Sequence, residues 1–528
     1  MAKNTKSSKP QKAIEDIIWD AANKLRGSVE PMEYKHVVLS LIFLKYANDK
    51  FIEQRNKLIA DGQEAFIEMP MFYAQKTIFY IPENARWDYL MQYAKQADIA
   101  LKIDIALASI ESENASLKGA LPNNYFSGVE LPASKIGQLL DMFNQINLCD
   151  CDDKDIFGRI YEYCLAKFAI AEGKGKGEFY TPKSVVELLC ELIEPYEGII
   201  YDGACGSGGM FVQSMKFIER HQANTDNISV YGQEYTPTTR KLAMMNLAIR
   251  GISADIGTKA ASTFQEDQHP DLKADFALMN PPFNQKDWRE DNELVDDPRW
   301  KGYATPPTSN ANYAWILNFI SKLSVNGLGC LILSNGALSA GSKGNDEYEI
   351  RKQLIENDLV EAIIVLPRDM FYSTNISVTI WVFNKNKKAR TVNKGDKNVS
   401  LRDRTNNILF MDLRQMGHVY DKKYIEFTYE DQQVIAETYH NWQSVNQTGY
   451  NNIKGFCYSA TKEEVINNDY SLVTSKYIEF DKKESNDNFD EQMKKIQTDL
   501  TSLYKEEAET RKEIEKVLEE LGYGIKIN

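Results

Sequence analysis

The chain has 528 residues, 43% of them hydrophobic, which is too long for one core, so two or three domains are expected. Its 62 basic and 76 acidic residues leave a net charge of −14, which argues against a protein that grips nucleic acid alone through a broad basic surface. No apolar signal core opens the chain and no later run reaches membrane-spanning length, so a cytoplasmic protein without a membrane partner is expected.

Residues 1–12 are polar and carry lysines, and read as a disordered basic tail. Over 13–168 the apolar residues recur at helical spacing, as in Val37, Val38, Leu39, Leu41, Ile42, Leu44 and Tyr46, which predicts an N-terminal helical domain. The seven cysteines are odd in number and scattered from Cys149 to Cys457, and Cys149 and Cys151 lack a His or a second pair nearby. That pattern points to reduced thiols and no metal site.

From 169 to 475 short apolar segments alternate with helix-sized ones, the pattern of a doubly wound α/β sheet carrying the chemistry. Gly198 to Tyr201 reads as a strand running into Asp202, Gly203, Ala204, Cys205, Gly206, Ser207, Gly208 and Gly209, and a helix starts at Met210. Strand, glycine turn and helix form a nucleotide-cradling unit, because glycines let the backbone approach a ligand and the helix start offers free N–H groups. No Gly-Lys-Ser/Thr follows, which excludes a phosphate-gripping P-loop. A second strand, Ile228 to Tyr231, ends at Gln233 and Glu234, a carboxylate placed to bind ribose hydroxyls. An acid there favours an adenosine cofactor.

A further apolar run, Ala274 to Met279, ends at Asn280, Pro281, Pro282 and Phe283. An aromatic exocyclic amine such as that of adenine is a poor nucleophile, its lone pair being delocalised into the ring. The Asn280 side-chain oxygen and the Pro281 carbonyl can accept both amine N–H bonds, and two prolines stiffen the turn that holds them. Phe283 offers a face on which a base swung out of a duplex stacks, worth roughly 1–3 kcal/mol.

Strands are also expected at Gly329 to Ser334, Val360 to Leu366, Val378 to Phe383 and Ile408 to Asp412, and helices after Asn310 and over Tyr429 to Trp442. Asn312 and Tyr313 either line a base pocket or cap and pack their helix. Local basic stretches, Lys174 with Lys176 and the run Lys385, Lys387, Lys388, Arg390, Lys394 and Lys397, are either DNA contacts or solvated loops. Over 476–528, Phe489, Met493, Ile496, Leu500, Leu503, Ile514, Val517 and Leu521 keep a 4-3-4-3 register among charges, interrupted at Glu507 and Thr510. That is a coiled-coil seam, which docks on the chain's own body or pairs with another subunit.

Taken in this order, the motifs resemble those of S-adenosylmethionine-dependent N6-adenine DNA methyltransferases, and within them the modification subunit of type I restriction-modification systems. Gly177, Glu178, Phe179, Tyr180, Thr181, Pro182 and Lys183 are similar to the segment that packs on the methionine end of the cofactor, and precede the glycine turn as in the γ motif order. Asp155 to Tyr163, Asp267 to Leu272, Pro306 to Trp315, Trp19 to Gly27 and Tyr34-Lys35 extend the likeness over most of the chain.

The resemblance implies a Rossmann-like methyltransferase sheet with an N-terminal helical domain and a C-terminal coiled-coil helix. It implies S-adenosylmethionine held by Glu178 to Lys183, Asp202, Ser207, Gly208, Gly209 and Glu234, and adenine N6 as the methyl acceptor after base flipping. It also implies a second copy of this subunit, a specificity subunit bound through the coiled coil that reads the duplex, and a restriction subunit in the full complex. Two positions depart from the pattern. Gly203 stands where Pro usually follows the acid, which should loosen the turn yet leave binding intact, and Ser262 stands about where an Asp accepts from the cofactor's adenine amine. No residue is therefore assigned to the adenine ring. Methylation of a protein glutamine amide and a non-catalytic scaffold on the same fold remain alternatives.

Overall fold

The computed structural model describes residues 14–23, 31–129, 131–146, 156–172, 180–372, 374–421, 423–446, 449–480 and 489–521. Cys149, Cys151, Asp155, Lys174, Lys176, Gly177, Glu178, Phe179 and the first twelve residues, among those singled out above, lie outside this range, as does part of Trp19 to Gly27.

Helices dominate from Ile14 to Glu172. The longest, Pro31–Ala60, is buried almost all round from Val37 to Leu44, as an apolar run with no polar stripe must be. It packs on Ile156–Glu172. That helix in turn reaches the rest of the chain. Tyr161 donates to the Leu242 carbonyl at 3.0 Å, and Glu162 pairs with Lys216 at 3.2 Å and Arg250 at 3.1 Å.

Thirteen strands follow among the described residues: β1 Gly198–Asp202, β2 Ile228–Gly232, β3 Ala254–Asp255, β4 Ala274–Met279, β5 Leu323–Ser334 and β6 Val360–Val365. They continue with β7 Val378–Asn384, β8 Arg390–Lys394, β9 Lys397–Leu401, β10 Asn407–Asp412, β11 His418–Asp421, β12 Tyr424–Glu426 and β13 Cys457–Thr461. Nine form one sheet in the order β13-β10-β6-β7-β5-β4-β1-β2-β3, while β8–β9 and β11–β12 are separate hairpins. Side chains alternate between two cores. Ile200, Leu278, Ile332 and Ile364 face one side, and Tyr201, Met279, Leu331 and Ile363 the other. Burial on both faces explains why these strands read as continuous apolar runs rather than alternating ones.

The expected α/β sheet is present, but it is mixed. β7 runs antiparallel to β5 and β6, and β13 antiparallel to β10. The connection 366–377 carries no helix, and a parallel return needs a long crossover, so the chain turns straight back. Neither β3, of two residues, nor the edge strand β13, with polar residues among its five, announces itself by apolar content.

Residues 480–528 form a separate unit, whose described part is Phe480 and the helix Phe489–Glu520 with Leu521 after it. Met493, Ile496, Leu500, Leu503, Ile514, Val517 and Leu521 are all exposed on it. The Phe489 side chain lies outside the described residues.

Candidate functional site

β1, β2 and β4 are neighbours in the sheet, and their carboxyl ends bring Asp202, Glu234 and Asn280 to one edge. A crevice forms at such an edge where strand order reverses, here between β1 and β4. It holds a cavity of about 720 Å³, lined among others by Gly206, Glu234, Asn280, Pro282, Trp288 and Trp315. The volume is within the range of cofactor sites, about 300–1,000 Å³.

The glycine turn takes the conformation its residues permit. Gly206 and Gly208 have φ of 54° and 79°, in the left-handed region that side chains avoid, and Gly208 caps the helix Gly209–Arg220. Asn246, buried on the helix Pro237–Ile249, donates to the Ser207 carbonyl at 2.7 Å and so fixes the turn from outside. Glu234 fixes it from the next strand. Its two oxygens accept from the backbone N–H of Gly206 at 3.0 Å and of Thr236 at 2.8 Å.

Asp202 is 1% exposed, accepts from the Ala204 N–H at 3.0 Å and does not line the cavity. Burial pushes its carboxyl up to about 8, against the pull of that N–H, and the nearby Glu234 charge adds to the rise. Gly203 has a cause in this chain. A Cβ there would lie 2.6 Å from the Tyr201 hydroxyl and 3.0 Å from the Met279 terminal methyl.

Asn280 is 6% exposed and its Nδ2 donates to the Thr181 hydroxyl at 2.8 Å. Its Oδ1 is buried without a hydrogen-bond partner among the described residues. A buried acceptor left open at a cavity wall is a place for a ligand N–H, since such atoms are otherwise satisfied. Pro281 is buried and Pro282 lines the cavity. Phe283 belongs to the other core and meets Phe371 edge-on at 6.3 Å. Nearby, the Tyr180 and Tyr372 rings lie parallel at 6.0 Å, and Tyr424 stands edge-on to Tyr372 at 4.9 Å. The Asn280 loop therefore has an open cavity on one side and aromatic rings on the other.

Of the other residues singled out, Pro182 caps the helix Lys183–Ile193, and Lys183 pairs with Glu187 at 3.6 Å, away from the cavity. Asn312 is not among the residues that line this cavity. It exchanges two hydrogen bonds with Asn284, at 3.0 and 2.8 Å, and so holds the residue after Phe283, while Tyr313 donates to the Ala337 carbonyl. Asn312 does not cap its own helix, whose N-cap is Ala311, and both side chains are buried in packing contacts. Half of the basic run, Lys385, Lys388 and Lys397, is exposed, and the rest is engaged within the chain. Lys387 is 3% exposed and bonds Asp358 and the carbonyls of Val360 and Asn407, Lys394 bonds Glu194, and Arg390 bonds the Asn386 carbonyl.

Several lining residues escape sequence reasoning. Tyr235, Thr263, Phe264, Gln285 and Trp288 come from loops, where no periodicity marks them. Arg299 braces two of them, donating to the carbonyls of Thr263 at 2.7 Å and Phe264 at 2.6 Å.

The profile of the N-6 DNA methylase family matches residues 152–486, and that of the HsdM N-terminal domain residues 14–143. The type I restriction enzyme HindI methylase subunit of Haemophilus influenzae is 41% identical over 465 residues, covering 84% of this chain and 100% of that protein. The MjaIX methylase subunit of Methanocaldococcus jannaschii is 33% identical, covering 97% and 92%. Among solved structures, a type I restriction-modification methyltransferase subunit from Streptococcus thermophilus shares the fold with a TM-score of 0.71 at 21% identity, covering 88% of this chain and 99% of that one.

Proposed function

The chain belongs to the N-6 DNA methylase family as a type I restriction enzyme methylase subunit, an adenine-specific DNA methyltransferase that uses S-adenosylmethionine, and from that premise we propose roles for its residues. When bound, S-adenosylmethionine supplies a methyl group on a positively charged sulfur. Glu234 holds the ribose hydroxyls, the turn from Ser207 to Gly209 accommodates the cofactor with Asp202 supporting it from below, and Glu178 to Lys183 close the methionine end.

The donor set fits this group. Glu234 is already oriented by two backbone N–H bonds, and the cavity beside it is lined by both aromatic and polar side chains. Asn280 Oδ1 and the Pro281 carbonyl accept the two N–H bonds of the target adenine amine, and Phe283 stacks the flipped base. Asn280 performs this by holding the amine where its nitrogen lone pair is no longer shared with the ring. The single observation that carries this reading is the buried, unpartnered Asn280 Oδ1.

Duplex DNA, the specificity subunit and the restriction subunit are the proposed partners, with a second copy of this chain in the complex. The exposed stripe from Met493 to Leu521 is assigned to the specificity subunit, which also supplies most of the DNA affinity that a chain of net charge −14 lacks. Among the described residues no helix is long and apolar enough to cross a membrane. The test is transfer of labelled methyl from S-adenosylmethionine to genomic DNA by this chain alone and with the specificity subunit. Label at adenine N6 only with the partner supports the split, and label with the chain alone overturns it.

A further inference from the structure

We propose that Gln285 and Trp315 read the edge of the cofactor's adenine ring, an assignment that rests on the cofactor reading above. Ser262 is not available for that task. Its hydroxyl donates to Gln265 Oε1 and accepts from the Phe264 N–H at 3.3 Å, and Gln265 Nε2 is itself committed to the Trp288 carbonyl at 2.7 Å. The polar groups of this segment are turned on one another.

Two other lining residues carry buried polar atoms with no hydrogen-bond partner among the described residues, Gln285 Oε1 and Trp315 Nε1. The first only accepts and the second only donates. An adenine edge presents the complement, an amine donor beside a ring-nitrogen acceptor. One residue fixes both. The Ala311 N–H donates to the Gln285 carbonyl at 2.9 Å, and the Ala311 carbonyl accepts from the Trp315 N–H at 2.9 Å. The helix Asn312–Lys322 and the loop after Phe283 therefore carry the donor and the acceptor from a common anchor.

The surroundings suit a flat purine. Phe264 lies with its ring centroid 4.4 Å from that of Trp315 and 4.6 Å from that of Trp288, giving the cavity an aromatic wall. Glu234, the ribose acceptor, lines the same cavity, so sugar and base are recognised within one space. The amine of the ring donates to Gln285 Oε1, and the ring nitrogen beside it accepts from Trp315 Nε1. A purine without the amine leaves Gln285 Oε1 buried and unpaired, so the site selects adenosyl over deaminated ligands.

Calorimetric titration of the full chain with S-adenosylhomocysteine, and with its analogue lacking the 6-amino group, tests the assignment. Wild-type protein should bind the analogue about tenfold more weakly, the size of one buried hydrogen bond. In Gln285→Met that preference should vanish, and Trp315→Phe should weaken both ligands by about tenfold alike. Gln285→Met retaining the wild-type preference would overturn the assignment while leaving the cofactor reading intact, and because Gln285 sits on a loop this variant decides even if Trp315→Phe fails to fold. Wild-type protein binding neither ligand would overturn the cofactor reading and the assignment together.

Discussion

Asn280 spends its amide N–H on Thr181, 2.8 Å away, and thereby turns its oxygen to a buried position that no described residue fills. The contact joins residues far apart in sequence, one before the glycine turn and one after β4. It makes the orientation of the Asn280 amide depend on a residue 99 positions earlier in the chain.

Thr181→Val keeps the shape of that neighbour and removes its oxygen. Asn280 Nδ2 then loses its acceptor and the amide rotates freely, so kcat should fall by roughly 10- to 100-fold, less than the 10²–10³ expected for deleting a transition-state contact. Because Thr181 also lies in the segment assigned to the methionine end of the cofactor, the KM for S-adenosylmethionine should rise too, by less than kcat falls. A KM effect larger than the kcat effect would mean that the hydroxyl serves the cofactor rather than the orientation of Asn280.

Glu234→Ala removes a carboxylate that orients the Gly206 and Thr236 backbone and is assigned to the ribose. Cofactor affinity measured by calorimetry should drop roughly 10- to 100-fold, the range of one or two charged hydrogen bonds. Undiminished affinity would exclude the assignment.

Gly203 and Tyr201 form a matched pair, since a Cβ at 203 meets the Tyr201 hydroxyl at 2.6 Å. Gly203→Ala should lower stability by about 1–3 kcal/mol, the usual scale of overpacking. The double variant with Tyr201→Phe should recover part of it in thermal melts. No recovery would mean that Met279, not the hydroxyl, sets the limit.

Burial raises Asp202 to about 8, far above an unfolded carboxyl near 3.8. The folded chain therefore keeps a proton that the unfolded chain releases, and the stability tied to it is complete below pH 4 and lost as pH rises through 8. Asp202→Asn is neutral throughout, so its melting temperature should gain on the wild type between pH 5 and 8. A difference that stays constant over that window would show the carboxyl to be ionised in the folded chain.

Leu500→Glu with Leu503→Glu puts charge on the exposed stripe of the last helix. Co-purification with the specificity subunit should be lost while S-adenosylmethionine affinity stays at the wild-type value. Retained assembly would move the subunit contact elsewhere.

The sheet core was legible because β1, β2, β4, β5, β6, β7 and β10 are short apolar runs bounded by turn residues, and burial on both faces demands such runs. Strand direction was not. The reversal at β7 depends on a connection without a helix, and apolar content does not distinguish that from a crossover. In the site, Asn280 and Glu234 were visible because each ends a strand. Gln285, Trp288 and the Tyr180–Tyr372 pair were not, since loops and sequence-distant rings meet only after folding. Lys387 shows the converse limit. A lysine in a basic run reads as surface, yet its amine lies buried among Asp358 and two carbonyls.

The most direct test is single-turnover transfer of labelled methyl to duplex DNA by the assembled complex carrying Asn280→Ala, with cofactor affinity measured on the same protein. The geometry predicts that adenine N6 labelling is abolished while S-adenosylmethionine binds within a few-fold of the wild type. Loss of cofactor binding in step with transfer, or transfer persisting at the wild-type rate, would contradict the role given to the open oxygen of Asn280.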